Sequence, residues 1–221
     1  MKRTNKYEKN SQDVLFPTIN GIIVDCKALS SIKHSCISNN CKISQCCCSQ
    51  YEVFIDNIEL SNIVGALPYA SQYSTILKSD KSFANIFGDE GKNTYSIDKN
   101  NRGFCVFGYK GKEKSFFCSL HKAAVDMKIS LKKVKPLACI LWPLALVESD
   151  PVVLTVQEDV TLFPCNQEQA SPSIVLDNGI AQIIKIAFGS SFHYKLNEAI
   201  KGLNSNSKGI RNANRGRKGD G

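Results

Sequence analysis

Apolar and polar positions change rhythm several times along this chain. Residues 51–56 alternate in the manner of a half-buried strand, and Ile58, Leu60, Ile63, Val64 and Leu67 then recur at helical spacing until Pro68, which predicts a stop. Residues 14–24 mix β-branched side chains with Pro17 and Gly21 and predict one or two short strands. Residues 69–101 are polar, and Gly88, Gly91, Asn93 and the run Asp98, Lys99, Asn100, Asn101 mark turns. Residues 104–109 and 115–118 read as a hairpin connected through Lys110, Gly111 and Lys112, and residues 121–127 as a short helix. Strands are predicted at 152–156 and 160–163, on either side of Gln157, Glu158 and Asp159. Beyond Pro172, Ile180, Ile183, Ile184, Ala187 and Phe188 form one helical stripe, and a second helix is predicted from about 191 to 200, ended by Gly202. The mixture predicts an α+β fold, a single small irregular domain with short antiparallel strands and flanking helices.

The rhythm fails between residues 26 and 50, where Ser, Asn, Lys and Cys dominate and few large apolar side chains occur. Such a segment cannot pack a core of its own and needs another source of order. Six of the ten cysteines fall here, from Cys26 to Cys48, ending in the triplet Cys46, Cys47, Cys48. A metal would supply the missing order, because coordination free energy becomes folding free energy in a ligand-rich segment. The fold is therefore predicted to be organised around a cysteine metal site.

Charge locates the ends of the domain. Of the formal net charge of +8, residues 1–10 carry four basic side chains against one acidic, and residues 203–221 carry five against one, so the part between is nearly neutral. This predicts a flexible basic N-terminus at 1–13, a cysteine-cluster domain at 14–202 and a disordered basic tail at 203–221. Arg211, Arg215 and Arg217 in that tail give nucleic-acid phosphates a weak electrostatic handle, without interleaved aromatics to stack bases. The start has charges and amides where a secretory signal needs an apolar stretch. The most apolar window, residues 136–147, is twelve residues with two prolines and too short to span a bilayer. The expectation is a cytoplasmic protein without membrane association, whose cysteines are thiols or metal ligands rather than disulfides.

Four residues separate Cys36 from Cys41 and four more separate Cys41 from Cys46, gaps short enough for a loop to bring two thiolates to one ion. Adjacent residues in an extended chain point to opposite faces, so one or two of the triplet are expected to ligate. A tetrahedral ion needs four ligands, so two from this stretch would be completed from Cys105, Cys118 and Cys139, each at a turn or element edge. More than four thiols equally suit an iron–sulfur cluster. His121 follows Cys118 by three residues, a spacing that allows a ligand pair or an activated thiolate, but no third group for a nucleophilic triad stands out. Adjacent thiols also fit a redox sensor if one were an accessible thiolate. Cys26 and Cys165 read as small buried hydrophobes, and Trp142 as packing around Cys139.

The order of these features carries a resemblance. A cluster ending in adjacent cysteines, then Gly103-Phe104-Cys105, then Cys118-Ser119-Leu120-His121-Lys122, then Lys135-Pro136-Leu137-Ala138-Cys139-Ile140-Leu141-Trp142-Pro143, resembles the cysteine-cluster family of zinc- or iron-chelating proteins, distantly similar to flagellin lysine N-methylases. The chain differs in the four residues 42–45 before the adjacent cysteines and in the additional Cys48. The resemblance implies metal ligation by Cys41, Cys46, Cys47, Cys105, Cys118 and Cys139, with zinc or an iron–sulfur cluster as the bound group. Its alternative implication is an iron–sulfur-dependent enzyme similar to protein-lysine N-methylases. No Gly-rich nucleotide loop after a strand accompanies it, and no catalytic residue is assigned.

Overall fold

The computed structural model describes residues 15–36, 46–79, 86–111 and 115–215. The predicted flexible N-terminus and Cys41 lie outside these residues. The fold is α+β; among the described residues it has eight helices and short, mostly antiparallel strands that fall into two compact units.

Within the described residues the first unit comprises 15–34, 143–160 and 166–215. Its four-stranded sheet has the order β1 (Thr18–Ile19), β2 (Ile22–Val24), β10 (Val153–Val156), β9 (Leu144–Val147). Strand β2 runs parallel to β10, with Ile23 opposite Val153 and Val24 opposite Leu154. A separate antiparallel pair joins β3 (Ile32–His34) to β11 (Asn166–Glu168). Helix α7 (Asn178–Phe188) buries the predicted stripe through Ile180, Ile183, Ile184 and Ala187. Asp177 caps it, accepting from Gly179 N at 2.9 Å, and the same carboxylate oxygen accepts from His34 N at 3.0 Å, tying β3 to the helix start. Helix α8 (Ser190–Arg215) does not stop at Gly202 as predicted. Phe192, Leu196 and Ile200 are fully buried along one stripe, and a glycine in a helix interior costs only about 1 kcal/mol without breaking the backbone pattern.

Helix α1 (Cys26–Ser30) opens on Cys26, which has no exposed surface. Burial, aided by the Asp25 charge, pushes its thiol from 9.0 up to about 12. The unfolded thiol ionises first, so this group's contribution to stability is intact below pH 9 and is lost as pH rises from about 9 to 12. The full loss is of order 4 kcal/mol. Urea unfolding of metal-free protein across this range should show a steeper alkaline decline for wild type than for Cys26→Ala, and parallel declines would refute the assignment.

The second unit comprises residues 35–142 and 161–165. Strand β4 (Phe54–Asp56) and helix α3 (Asn57–Ala70) follow the predicted change of rhythm, with Asp56 capping the helix through Ile58 N and Glu59 N, both at 2.8 Å. The helix passes through Pro68 and ends two residues later, since proline close to the end of a helix costs one backbone bond rather than the whole element. Strand β4 pairs with β6 (Thr94–Ile97), which pairs with β5 (Phe87–Gly91), in a stretch predicted as turns only. Short helix α4 is Thr75–Ser79. Ile55, Ile63, Leu67, Ile97, Phe107 and Leu120 lie in the core of this unit.

The predicted hairpin is present as β7 (Gly108–Lys110) and β8 (Phe116–Cys118), and leads into α5 (Ser119–Asp126). The predicted strand at 160–163 is instead a 3-10 turn, Val160–Leu162. Asp159 enters it with a left-handed φ of 56°, and Val160 and Phe163 are buried at the three-residue spacing of such a turn while Leu162 is 70% exposed.

Candidate metal centre

The centre is built on helix α2 (Cys47–Gln50), a single turn preceded by Cys46 in extended conformation, φ −92° and ψ 133°. Ser49 N and the Ser49 hydroxyl both donate to the Cys46 carbonyl, at 2.9 and 2.8 Å, fixing the change from extended to helical backbone between Cys46 and Cys47. That change overturns the expectation that three neighbouring cysteines must diverge. The sulfurs of Cys46, Cys47 and Cys48 all lie within 4.8 Å of one another, so the trio can hold a metal ion. Cys46 is buried and packs with Phe104 and Phe116, whose rings meet edge to face at 5.2 Å, while Cys47 and Cys48 are half-buried.

Cys105 reaches the trio by a backbone bond, its N–H donating to the Cys48 carbonyl at 2.9 Å. A tight turn precedes it: Gly103 has φ +77°, and Asn100 accepts from Arg102 N through its side chain at 2.8 Å. Gly108 N in turn donates to the Cys105 carbonyl at 2.8 Å, and Gly108 pairs with Cys118 in the β7–β8 ladder. A Cβ on Gly108 would run into the Phe116 ring and the Cys105 carbonyl, so only glycine lets the hairpin close against the Cys105 turn. Cys105 and Cys118 both lie against the core of the second unit.

Cys139 sits in α6 (Leu137–Leu141), whose first N–H, Leu137 N, donates to Glu59 Oε1 at 2.7 Å. Just before it, Lys135 N donates to the Leu131 carbonyl at 2.8 Å, and its side chain is half-buried. Trp142 follows α6 and stacks in a three-ring cluster, 4.8 Å from Tyr51 and 4.7 Å from Phe163.

Electrostatics bind these residues into one group. Hydrogen bonds from Cys46 and Cys48 pull the Cys47 thiol down to about 3, and the Lys135 charge adds to the effect. The counterpart is that Cys46 and Cys48 are pushed up, first through their hydrogen bonds within the trio. The three thiols are thus coupled and titrate as a group. Burial pushes Cys105 up to about 12, with the Cys118 charge adding to it. Cys139 is pushed up by burial, and the Lys135 charge opposes that shift. Burial disfavours the Lys135 ammonium, yet Cys118, Cys139, Cys48 and Cys47 outweigh it and hold the lysine above its ordinary range. Burial and the same lysine lower His121, which matches a neutral imidazole rather than a second cation.

Among the described residues, five of the six cysteines implicated by the resemblance, Cys46, Cys47, Cys105, Cys118 and Cys139, lie in the second unit, and of these Cys46 and Cys47 converge, together with Cys48. The sequence leaves open which of Cys46, Cys47 and Cys48 ligate, and it gives Lys135 only as part of the motif that contains Cys139. Cys165 is half-buried, with burial pushing its thiol to about 11, and its carbonyl accepts from Ser35 N at 2.8 Å. Cys36 is exposed, and Cys26 belongs to the first unit. Among the described residues no helix is long and apolar enough to cross a membrane. No protein-family model, curated protein or solved structure matches this chain.

Proposed function

We propose that the protein holds a thiolate-ligated metal centre, zinc or an iron–sulfur cluster, in a split cysteine framework. The trio Cys46, Cys47 and Cys48 forms one half, and Cys105, Cys118 and Cys139 supply the other. The observation that carries this reading is the convergence of the Cys46, Cys47 and Cys48 sulfurs within 4.8 Å of one another. The resemblance to the cysteine-cluster family rests on the same residues and supports the same reading.

The donor set is soft and anionic, which favours zinc or iron over magnesium or calcium. A single zinc takes four of the six thiols and leaves two protonated, whereas a cluster distributes its four thiolates over several irons. Because Cys105 and Cys139 are protonated in the empty site, loading by either group releases protons and weakens as pH falls. Anaerobically purified protein should contain stoichiometric zinc, or iron and sulfide with a visible charge-transfer band. Protein that carries neither, and takes up neither on reconstitution, would refute the proposal.

A further inference from the structure

A cavity of about 510 Å³ lies away from the cysteines, between helix α3 and the three-stranded sheet of the same unit. Leu60, Val64, Leu67 and Pro68 supply its helical wall at intervals of four, three and one, which places them along one face. Phe87, Asp89 and Tyr95 supply the sheet wall. Asp89 and Tyr95 are directly paired across β5 and β6, and Phe87 is two residues from Asp89, so the three share one face of the sheet. Phe87 is backed by the Phe107 ring at 6.2 Å. The volume lies in the range of sites for small organic ligands, roughly 300–1,000 Å³, and an apolar lining with few oriented polar groups is their usual composition.

The polar groups of the lining are acceptors, apart from the Tyr95 hydroxyl, which can act either way. Asp89 is an exposed residue of the lining with Oδ1 held by Gly91 N at 2.8 Å, so its carboxylate has a fixed direction. Pro68 has no N–H to give the Val64 carbonyl one turn before it, and both residues line the trough. Among the described residues no lysine or arginine lines the cavity. Val64, 49% exposed, leaves apolar surface open to a ligand.

We infer that this groove binds a small apolar ammonium compound, its hydrocarbon body between α3 and the sheet and its cationic head on Asp89. An apolar molecule alone would gain the trough but not the carboxylate, and an anion would be repelled by it. The test is calorimetric titration of the full chain with octylamine, octanol and octanoate at neutral pH and equal ionic strength. Octylammonium should bind roughly tenfold more tightly than octanol, the effect of one hydrogen bond to a charged group, and octanoate should be weakest. Asp89→Asn should bring octylammonium to the affinity of octanol, and Val64→Trp, which fills the trough from an exposed position, should abolish both. Equal binding of amine and alcohol, preference for octanoate, indifference to Asp89→Asn, or unchanged binding by Val64→Trp would each overturn the inference. Thermal unfolding of the two variants at the wild-type temperature confirms that the fold is retained.

Discussion

Cys47→Ala protein is expected to lose its metal, with affinity falling roughly 100-fold or more, while Cys26→Ala and Cys165→Ala retain the wild-type stoichiometry. Cys47 is the informative member of the trio for two reasons. Its thiol is lowered by hydrogen bonds from both neighbours, which favours the thiolate that a metal requires. It is also half-buried, whereas Cys46 packs with Phe104 and Phe116, so Cys46→Ala would mix lost ligation with lost packing. Competition with a chromophoric chelator, read alongside circular dichroism of each variant, separates the two effects. Equal metal retention by Cys47→Ala and Cys165→Ala would remove the trio from the centre.

Lys135→Met should weaken metal binding by roughly 10- to 100-fold, the range for groups that act on a metal through its ligands. The lysine is not itself a ligand. Its ammonium lowers the cost of ionising Cys47, Cys105 and Cys139 and of keeping the loaded centre anionic. Lys135→Arg distinguishes this from a packing role, because it keeps the charge and should recover most of the affinity. A deficit that Arg does not repair would show that only the shape of the side chain matters.

How much of this was legible in the sequence follows from the range of the interactions involved. Helix α7 was legible because Ile180, Ile183, Ile184 and Ala187 carry their burial in their spacing, and Asp177 is a cap at the right offset. The β7–β8 hairpin was legible for a similar reason. The β5–β6 hairpin was not, because β5 is an edge strand containing Gly88, Asp89, Glu90 and Gly91, whose local preference is for turns. Its pairing is decided by β6 and by the helix packed on its other face. Residues 160–163 alternate well enough for a strand, and only the left-handed Asp159 turns them into a helical turn.

The centre divides in the same way. Cys105, Cys118 and Cys139 were legible as a set because each lies at a boundary that Gly, His or Pro marks in the sequence. The convergence of the trio was not, because the argument from extended geometry fails when the backbone becomes helical between Cys46 and Cys47. The role of Lys135 depends on which thiols surround its ammonium, and several of them are far away along the chain.

The measurement that bears most directly on the split framework is X-ray absorption of the loaded protein at the edge of whichever metal it contains. The account predicts a shell dominated by sulfur, at about 2.3 Å for zinc, that loses sulfur in Cys47→Ser and again in Cys105→Ser. A shell of nitrogen and oxygen, or a sulfur shell unchanged in both variants, would contradict it.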